Sequence, residues 1–328
     1  MRLLKVLAAL LLLAAVAAGA CYYFLTQPFS GSKEEIFVEI PKGSSTRTIA
    51  DVLASAGAIE HPWEFLLARA LRPSAKLLAG EYRFAGPVSA LTVYERIARG
   101  DVYYRELAIP EGLNMFDVAA SVESMGLMSA GTFLAAVRDP SMIHDLDPQA
   151  PTLEGYLFPD TYRVTRHTTA AELCQILTQR FRKEWKSLHS TADVHETVTM
   201  ASLIEKEAAV ASDRPIISSV FRNRLKLGMK LDCDPTTVYA ALLDGRYHGV
   251  IHQSDLASGN RYNTYQHAGL PPGPIANPGM ASLRAALQPG DTDFLYFVAR
   301  PDGSGRHQFS KDIASHRVAA DRYRRGAR

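Results

Sequence analysis

The sequence predicts an α+β protein carried behind one membrane-spanning helix, and three observations lead there. A charge-free apolar run opens the chain, a strand-turn-helix unit occurs twice, and long helical stretches follow, joined by proline- and glycine-rich segments. Of 328 residues, 47% are hydrophobic and 21% charged, enough for a sizeable core and against wholesale disorder. Lys and Arg total 36 against 34 Asp and Glu, a net charge of +2 that does not point to a nucleic-acid binder. Three cysteines speak against a disulfide-stapled fold and against a four-cysteine zinc site.

No charged residue occurs from Val6 to Ser32, while Arg2 and Lys5 stand just ahead. About 20 apolar residues in a helix cross a hydrocarbon core. Residues 1–26 are therefore read as a cytoplasmic tip and transmembrane anchor. Basic residues in front and Tyr22, Tyr23 and Phe24 behind place the remainder outside the cytoplasm. A cleaved signal peptide ending at Ala18-Gly19-Ala20, or a lipidated Cys21, is the alternative; the apolar run continuing to Leu25 favours the uncleaved anchor. Export makes Cys174 and Cys233 candidates for a disulfide, with two separate buried thiols the favoured reading.

After a linker at Gln27 to Lys33, Ile36 to Ile40 reads as a strand and Thr46 to Ala56 as a helix stopped by Gly57. The plan returns further on: Ile109-Pro110-Glu111-Gly112 matches Ile40-Pro41-Lys42-Gly43, and Gly126 matches Gly57. This pair resembles the small LysM-like modules that contact cell-wall glycan, and residues 34–150 are assigned to it. Either glycan contact or a packing scaffold suits such units. The polar, proline-punctuated stretch from Asp139 to Pro151 marks a boundary, and 152–328 is the expected catalytic domain. Within it, helices are expected over Thr169 to Trp185 and Glu196 to Leu227, the latter broken at Asp213-Arg214-Pro215. Tyr262 to Pro278 is too rich in Pro and Gly for a helix or central strand, and Phe294 to Ala299 reads as a buried strand.

On a helical projection with Leu203 at zero, Glu207 falls at about 40°, in the middle of an apolar face that includes Met200 and Ile204. Glu205, Lys206 and Ser202 fall on the polar side, so Glu205 is expected in solvent. A carboxyl on an apolar stripe must be paired, or desolvated with a raised pKa, and the second state suits a general acid. The spacing alone leaves a buried ion pair equally open for Glu207. His248 and His252 have the spacing of a zinc pair, but Val250 and Ile251 after Gly249 suggest a turn entering a strand, and no metal is expected. Neither Cys174 nor Cys233 has a nucleophile's context. Arg322, Arg324, Arg325 and Arg328 read as a solvated tail.

Leu153-Glu154-Gly155-Tyr156-Leu157-Phe158-Pro159-Asp160-Thr161-Tyr162 resembles a signature of the membrane-anchored endolytic murein transglycosylases, the YceG-like family. So do Ala201 to Glu207, Ser219 to Leu225, Asp234-Pro235-Thr236, Tyr262 to Tyr265 and Gly269 to Ile275, in order along essentially the whole chain. The closing motif departs from the family's pattern at Asp312 and Ser315, beside Phe309 and His316, and Cys233 stands where a small polar residue is common. The resemblance implies a lysozyme-related catalytic region at the bacterial inner membrane. It implies cleavage of the MurNAc–GlcNAc bond of nascent peptidoglycan strands without water, leaving 1,6-anhydro ends, with no cofactor. It carries Glu207 over as the catalytic carboxyl, and Glu154, Asp160, Tyr162, Asn263, Thr264 and Tyr265 as residues that position the saccharide. Peptidoglycan synthases are the implied partners. A water-using muramidase and a non-enzymatic wall-binding scaffold are the rival functions.

Overall fold

The computed structural model describes residues 2–29 and 35–326; part of the expected linker and Arg328 of the expected tail lie outside the described residues. The chain divides into two compact units, Met1–Arg105 and Glu106–Arg328.

The first unit begins with helix α1 (Arg2–Thr26), in which Lys5–Thr26 is long and apolar enough to cross a membrane. Its side chains from Leu10 to Leu13 are exposed, and Leu25 enters the core of the unit. Strand β1 (Pro28–Phe29) precedes β2 (Ile36–Ile40), followed by α2 (Thr46–Ser55), α3 (Pro62–Leu71), β3 (Gly80–Phe84), β4 (Val88–Ser89) and α4 (Ala90–Arg99). β1 pairs with β4, and β2 with β3, both antiparallel. Ser45 caps α2 and Ser89 caps α4, each hydroxyl accepting a backbone N–H three residues on. Val38 and Ile40 alternate inward from β2 to meet Ile49 and Leu53 of α2, Phe65, Tyr82 and Ile97.

The second unit contains β5 (Arg105–Ile109), α5 (Met115–Ser124), α6 (Ala130–Val137), β6 (Asp160–Val164), α7 (Ala170–Ser187), α8 (Val194–Glu207) and α9 (Arg214–Lys226). There follow α10 (Asp234–Leu243), α11 (Gln253–Leu256), α12 (Met280–Leu287), β7 (Tyr296–Ala299), β8 (His307–Ser310) and α13 (Ile313–Gly326). β5 pairs with β6, and β7 with β8. Both Ile-Pro-x-Gly turns lie between a strand and a helix, and Gly43 and Gly112 take nearly the same left-handed φ, 81° and 80°, which favours glycine.

The boundary expected near 150 does not separate compact units. Leu107, Ile109, Val118 and Val122 of the second repeat share one core with Leu153, Tyr156, Phe181, Met200 and Leu203. One continuous apolar core cannot be divided without exposing both halves, so the division falls between Arg105 and Glu106 instead. The break at Asp213 to Pro215 is present, as a short 3-10 turn (Ala211–Asp213) entering α9. Tyr262 to Pro278 carries neither helix nor strand. Two other expectations are corrected. Tyr296–Ala299 is only half-buried, in a sheet of just two strands. No strand follows Gly249; the short helix α11 does. Arg322, Arg324 and Arg325 are exposed, as a solvated tail requires, and lie in the last turns of α13.

Candidate active site

Helix α8 is buried all round from Thr197 to Ile204, which the amphipathic projection does not anticipate. α12 packs along it, and the Ser202 hydroxyl accepts the Ile275 N–H at 3.1 Å. Glu205 is therefore not in solvent. Its side chain is 6% exposed, takes Arg214 Nη2 at 3.0 Å on Oε1 and accepts the Gly279 N–H at 3.0 Å on Oε2. Besides Arg214, the chain that covers this side of α8 comes from more than seventy positions away, beyond what a helical wheel can see.

Glu207 is the last residue of α8, whose axis turns into extended backbone at Ala208. Its carboxyl opens onto a cavity of about 560 Å³ lined by α9, the 231–234 turn, Tyr265, the β7–β8 hairpin and α13. That volume lies within the range of small-molecule and saccharide-unit sites. Burial raises the Glu207 pKa from an ordinary 4.5 to about 7, and the neighbouring Asp234 pushes the same way. A thiol hydrogen bond from Cys233 Sγ to Oε1, at 3.2 Å, opposes the shift. The negative end of the α8 dipole also disfavours the ionised form. A carboxyl so placed is protonated over much of the range up to neutrality and can surrender its proton within it.

The remaining expected site residues fall into three places. Tyr265 lines the Glu207 cavity, its hydroxyl donating to Asp234 Oδ1 at 2.6 Å. Asn263 and Thr264 are buried behind it. Asn263 Nδ2 donates to the Ser258 carbonyl at 2.8 Å and its Oδ1 accepts the Tyr265 N–H at 3.1 Å, while Thr264 Oγ1 accepts the Cys233 N–H at 3.0 Å. These two hold the wall of the cavity and leave its lining to others.

Glu154 lies elsewhere, enclosed in the core. Its Oε2 accepts the Met115 N–H at 2.8 Å and its Oε1 accepts Asn277 Nδ2 at 2.9 Å. Burial lifts its pKa to about 8, against the hydrogen bond from the Met115 N–H. Asn277 Oδ1 in turn takes the N–H groups of Gly155 and Leu157, so Glu154 and Asn277 together lock the Leu-Glu-Gly-Tyr turn. Tyr162 is buried, with its hydroxyl on the Phe158 carbonyl, and burial raises its pKa. Asp160 pairs with Arg180 Nε at 2.7 Å and lines a separate cavity of about 360 Å³ with Pro110, Glu111 and Pro159. The hydrogen bond from the Thr161 N–H, with Arg180, holds the Asp160 pKa below the usual carboxylate range.

The far wall of the Glu207 cavity was only partly legible in the sequence. Arg224 of α9 reaches Leu295 and Leu231 carbonyls at 2.7 and 3.0 Å and lies 5.0 Å from the Tyr296 ring. His316 of α13 stacks on Tyr296 at 5.2 Å, and burial followed by Arg224 and Arg324 lowers its pKa, keeping it neutral. Arg324, exposed as a solvated tail requires, also lines this cavity with Tyr323. Only the Ser219 to Leu225 motif, which contains Arg224, and the position of His316 in the closing motif signalled any of this. Cys174 and Cys233 are both free thiols, buried in different elements.

Comparison with known proteins places this architecture. The model of the YceG-like family matches residues 38–322. An endolytic murein transglycosylase of Bacillus subtilis is 33% identical over 315 residues, covering 89% of this chain and 86% of that protein. One from Streptococcus pneumoniae is 29% identical over 303 residues, 82% of this chain but only 55% of that relative's length. The crystal structure of a yceG-like protein from Listeria monocytogenes superimposes with a TM-score of 0.56 at 33% identity, over 88% of this chain and 99% of that one. With the match running through both compact units and across the Glu207 helix, this chain belongs to the YceG-like family.

Proposed function

We propose that this protein is an endolytic peptidoglycan transglycosylase, held at the bacterial inner membrane by α1 with the rest of the chain outside the cytoplasm. The observation that carries the reading is Glu207, a carboxyl with a pKa near 7 opening onto a 560 Å³ cavity. The names of the relatives support the same substrate.

The chemistry follows from one carboxyl in two states. Protonated Glu207 donates to the glycosidic oxygen between MurNAc and GlcNAc as the C1–O bond breaks. Its carboxylate then takes the proton of the same sugar's C6 hydroxyl while O6 bonds to C1, closing the 1,6-anhydro ring and returning Glu207 to its starting state. Cavity walls that shed water favour this internal attack over hydrolysis. Tyr265 is the member of the positioning set that meets the saccharide, with Asn263 and Thr264 holding it in place. The strand-helix units read as LysM-like, the second serving as scaffold for the catalytic core. The lysozyme relation rests on the single buried acid at a helix end. Synthases that extend the same strands are the implied partner class.

A water-using muramidase is the second reading, favoured by Asp232 and Asp234 in the same cavity, since glycosidases pair two carboxylates. Mass spectrometry of fragments released from purified sacculi by the full-length protein in detergent separates them. Anhydro ends support the lytic reaction; reducing ends would replace it with hydrolysis.

A further inference from the structure

Among the described residues, the one side chain seen to hydrogen-bond the Glu207 carboxyl is a cysteine. Cys233 is 2% exposed and stands at the N-terminal cap of α10. Its N–H is held by Thr264 Oγ1 at 3.0 Å and its carbonyl by Thr236 Oγ1 at 2.6 Å. The residue before it, Asp232, has a left-handed φ of 46°, a conformation costly for a residue with a side chain. Arg224 pins this turn, with Nη1 on the Lys230 and Leu231 carbonyls and 3.2 Å from Asp232 Oδ2. Strain of this kind persists where the surroundings over-determine a position. Here they aim the thiol at Glu207.

Resting on the reading of Glu207 as the acid, we propose that Cys233 is a positioning residue for it: the S–H donates to Oε1, fixes the carboxyl's rotamer and leaves Oε2 to carry the transferred proton. Burial, followed by the nearby Glu207 carboxyl, pushes the thiol's pKa well up, so Cys233 stays protonated and remains a donor. Other groups share the cavity. Arg224 faces it from α9, and Asp232, Asp234 and Tyr265 from the turn and loop. Tyr296 and His307 face it from the hairpin, and His316, Tyr323 and Arg324 from α13. Glu205 and Lys206 on α8 itself are engaged with Arg214 and the Gly112 carbonyl. Any pH effect specific to Cys233 must therefore separate variants that keep a donor from those that lose it, with this field unchanged.

The test is the pH profile of kcat/KM for fragment release from sacculi by full-length Cys233→Ala, Cys233→Val and Cys233→Ser. Glu207→Gln is run alongside, and melting temperatures confirm folding. Activity of an acid falls as pH rises through its pKa, and a donor on the carboxylate lowers that pKa. Loss of the thiol in the Ala and Val variants is expected to move the alkaline limb up by about half to one pH unit and to lower kcat about 3- to 10-fold. Cys233→Ser, with a hydroxyl donor, is expected to hold the limb at or below its wild-type position. Cys233→Val fills the volume that alanine empties, so one donor-free variant survives a packing defect at the other. Limbs that coincide in all three variants, or a serine limb that moves with alanine, overturn the proposal. Should Glu207→Gln keep wild-type activity, the reading of Glu207 fails instead, whatever the Cys233 variants do.

Discussion

Glu154 and Glu207 are two carboxyls in one compact unit, both lifted above the ordinary range by burial, to about 8 and about 7. Glu154 is closed in, with both oxygens taken by the Met115 N–H and Asn277, and it ties β5–α5 to the Leu-Glu-Gly-Tyr turn and the Asn277 loop. Glu207 stands at a helix end, with a thiol on one oxygen and a cavity in front. The same electrostatic shift thus accompanies a structural hub and a chemical group. What separates them is access: a raised pKa is useful to a substrate only where a substrate can arrive.

The largest effect that sharpens this comparison is on rate. Glu207→Gln is expected to lower fragment release by at least about 10²- to 10⁴-fold, because one residue performs both proton transfers. Glu154→Gln is expected to stay within about tenfold per folded molecule while losing about 1–3 kcal/mol of stability, since its new amide donors face existing ones. Release assays paired with denaturant titrations measure both. A Glu154→Gln protein that is folded and inactive would make the two carboxyls chemical partners and break the contrast.

Next comes the hub's geometry. Gly155 has φ of 88°, and a Cβ there would meet Pro274 Cγ at 2.5 Å and Val198 Cγ1 at 2.9 Å. Gly155→Ala combines a left-handed backbone with overpacking against a ring, and a loss of about 3 kcal/mol is expected in urea titration. The smallest effect concerns Glu205, two positions from Glu207. Glu205→Gln leaves Arg214 without its carboxylate and is expected to cost about 1–3 kcal/mol, while the pH-rate profile keeps its shape. A profile that moves with Glu205 would place that residue in the chemistry.

Much of this was legible in the sequence wherever neighbours along the chain decide the outcome. The apolar run to Leu25, the strand and helix flanking each Ile-Pro-x-Gly turn, and the break at Asp213 to Pro215 all depend on local periodicity and turn chemistry. The partial desolvation of Glu207 agrees with its place on the helical projection, although α8 is buried all round from Thr197 to Ile204. The burial of Glu205 was not legible, because Arg214 and the Gly279 N–H close over it from outside the helix. Nor was the shared core that joins the second repeat to the catalytic region, since Leu107 and Val118 meet Leu203 only through tertiary packing. Arg324 and Tyr323 are exposed, as a solvated tail requires; that they also line the Glu207 cavity depends on the hairpin beside them, which local sequence does not show.

The claim that Glu207 is a carboxyl poised between its two states is tested most directly by titrating that group. In full-length protein carrying ¹³C-labelled glutamate carboxyls, the signal absent from Glu207→Gln is assigned to Glu207 and followed from pH 4 to pH 9. An inflection near pH 7 is expected, with Glu207 largely protonated at pH 5 and ionised by pH 8.5. An inflection at the ordinary carboxyl value of 4.5 would leave an ionised group with no proton to give at neutrality, and would contradict the account of Glu207 as the acid.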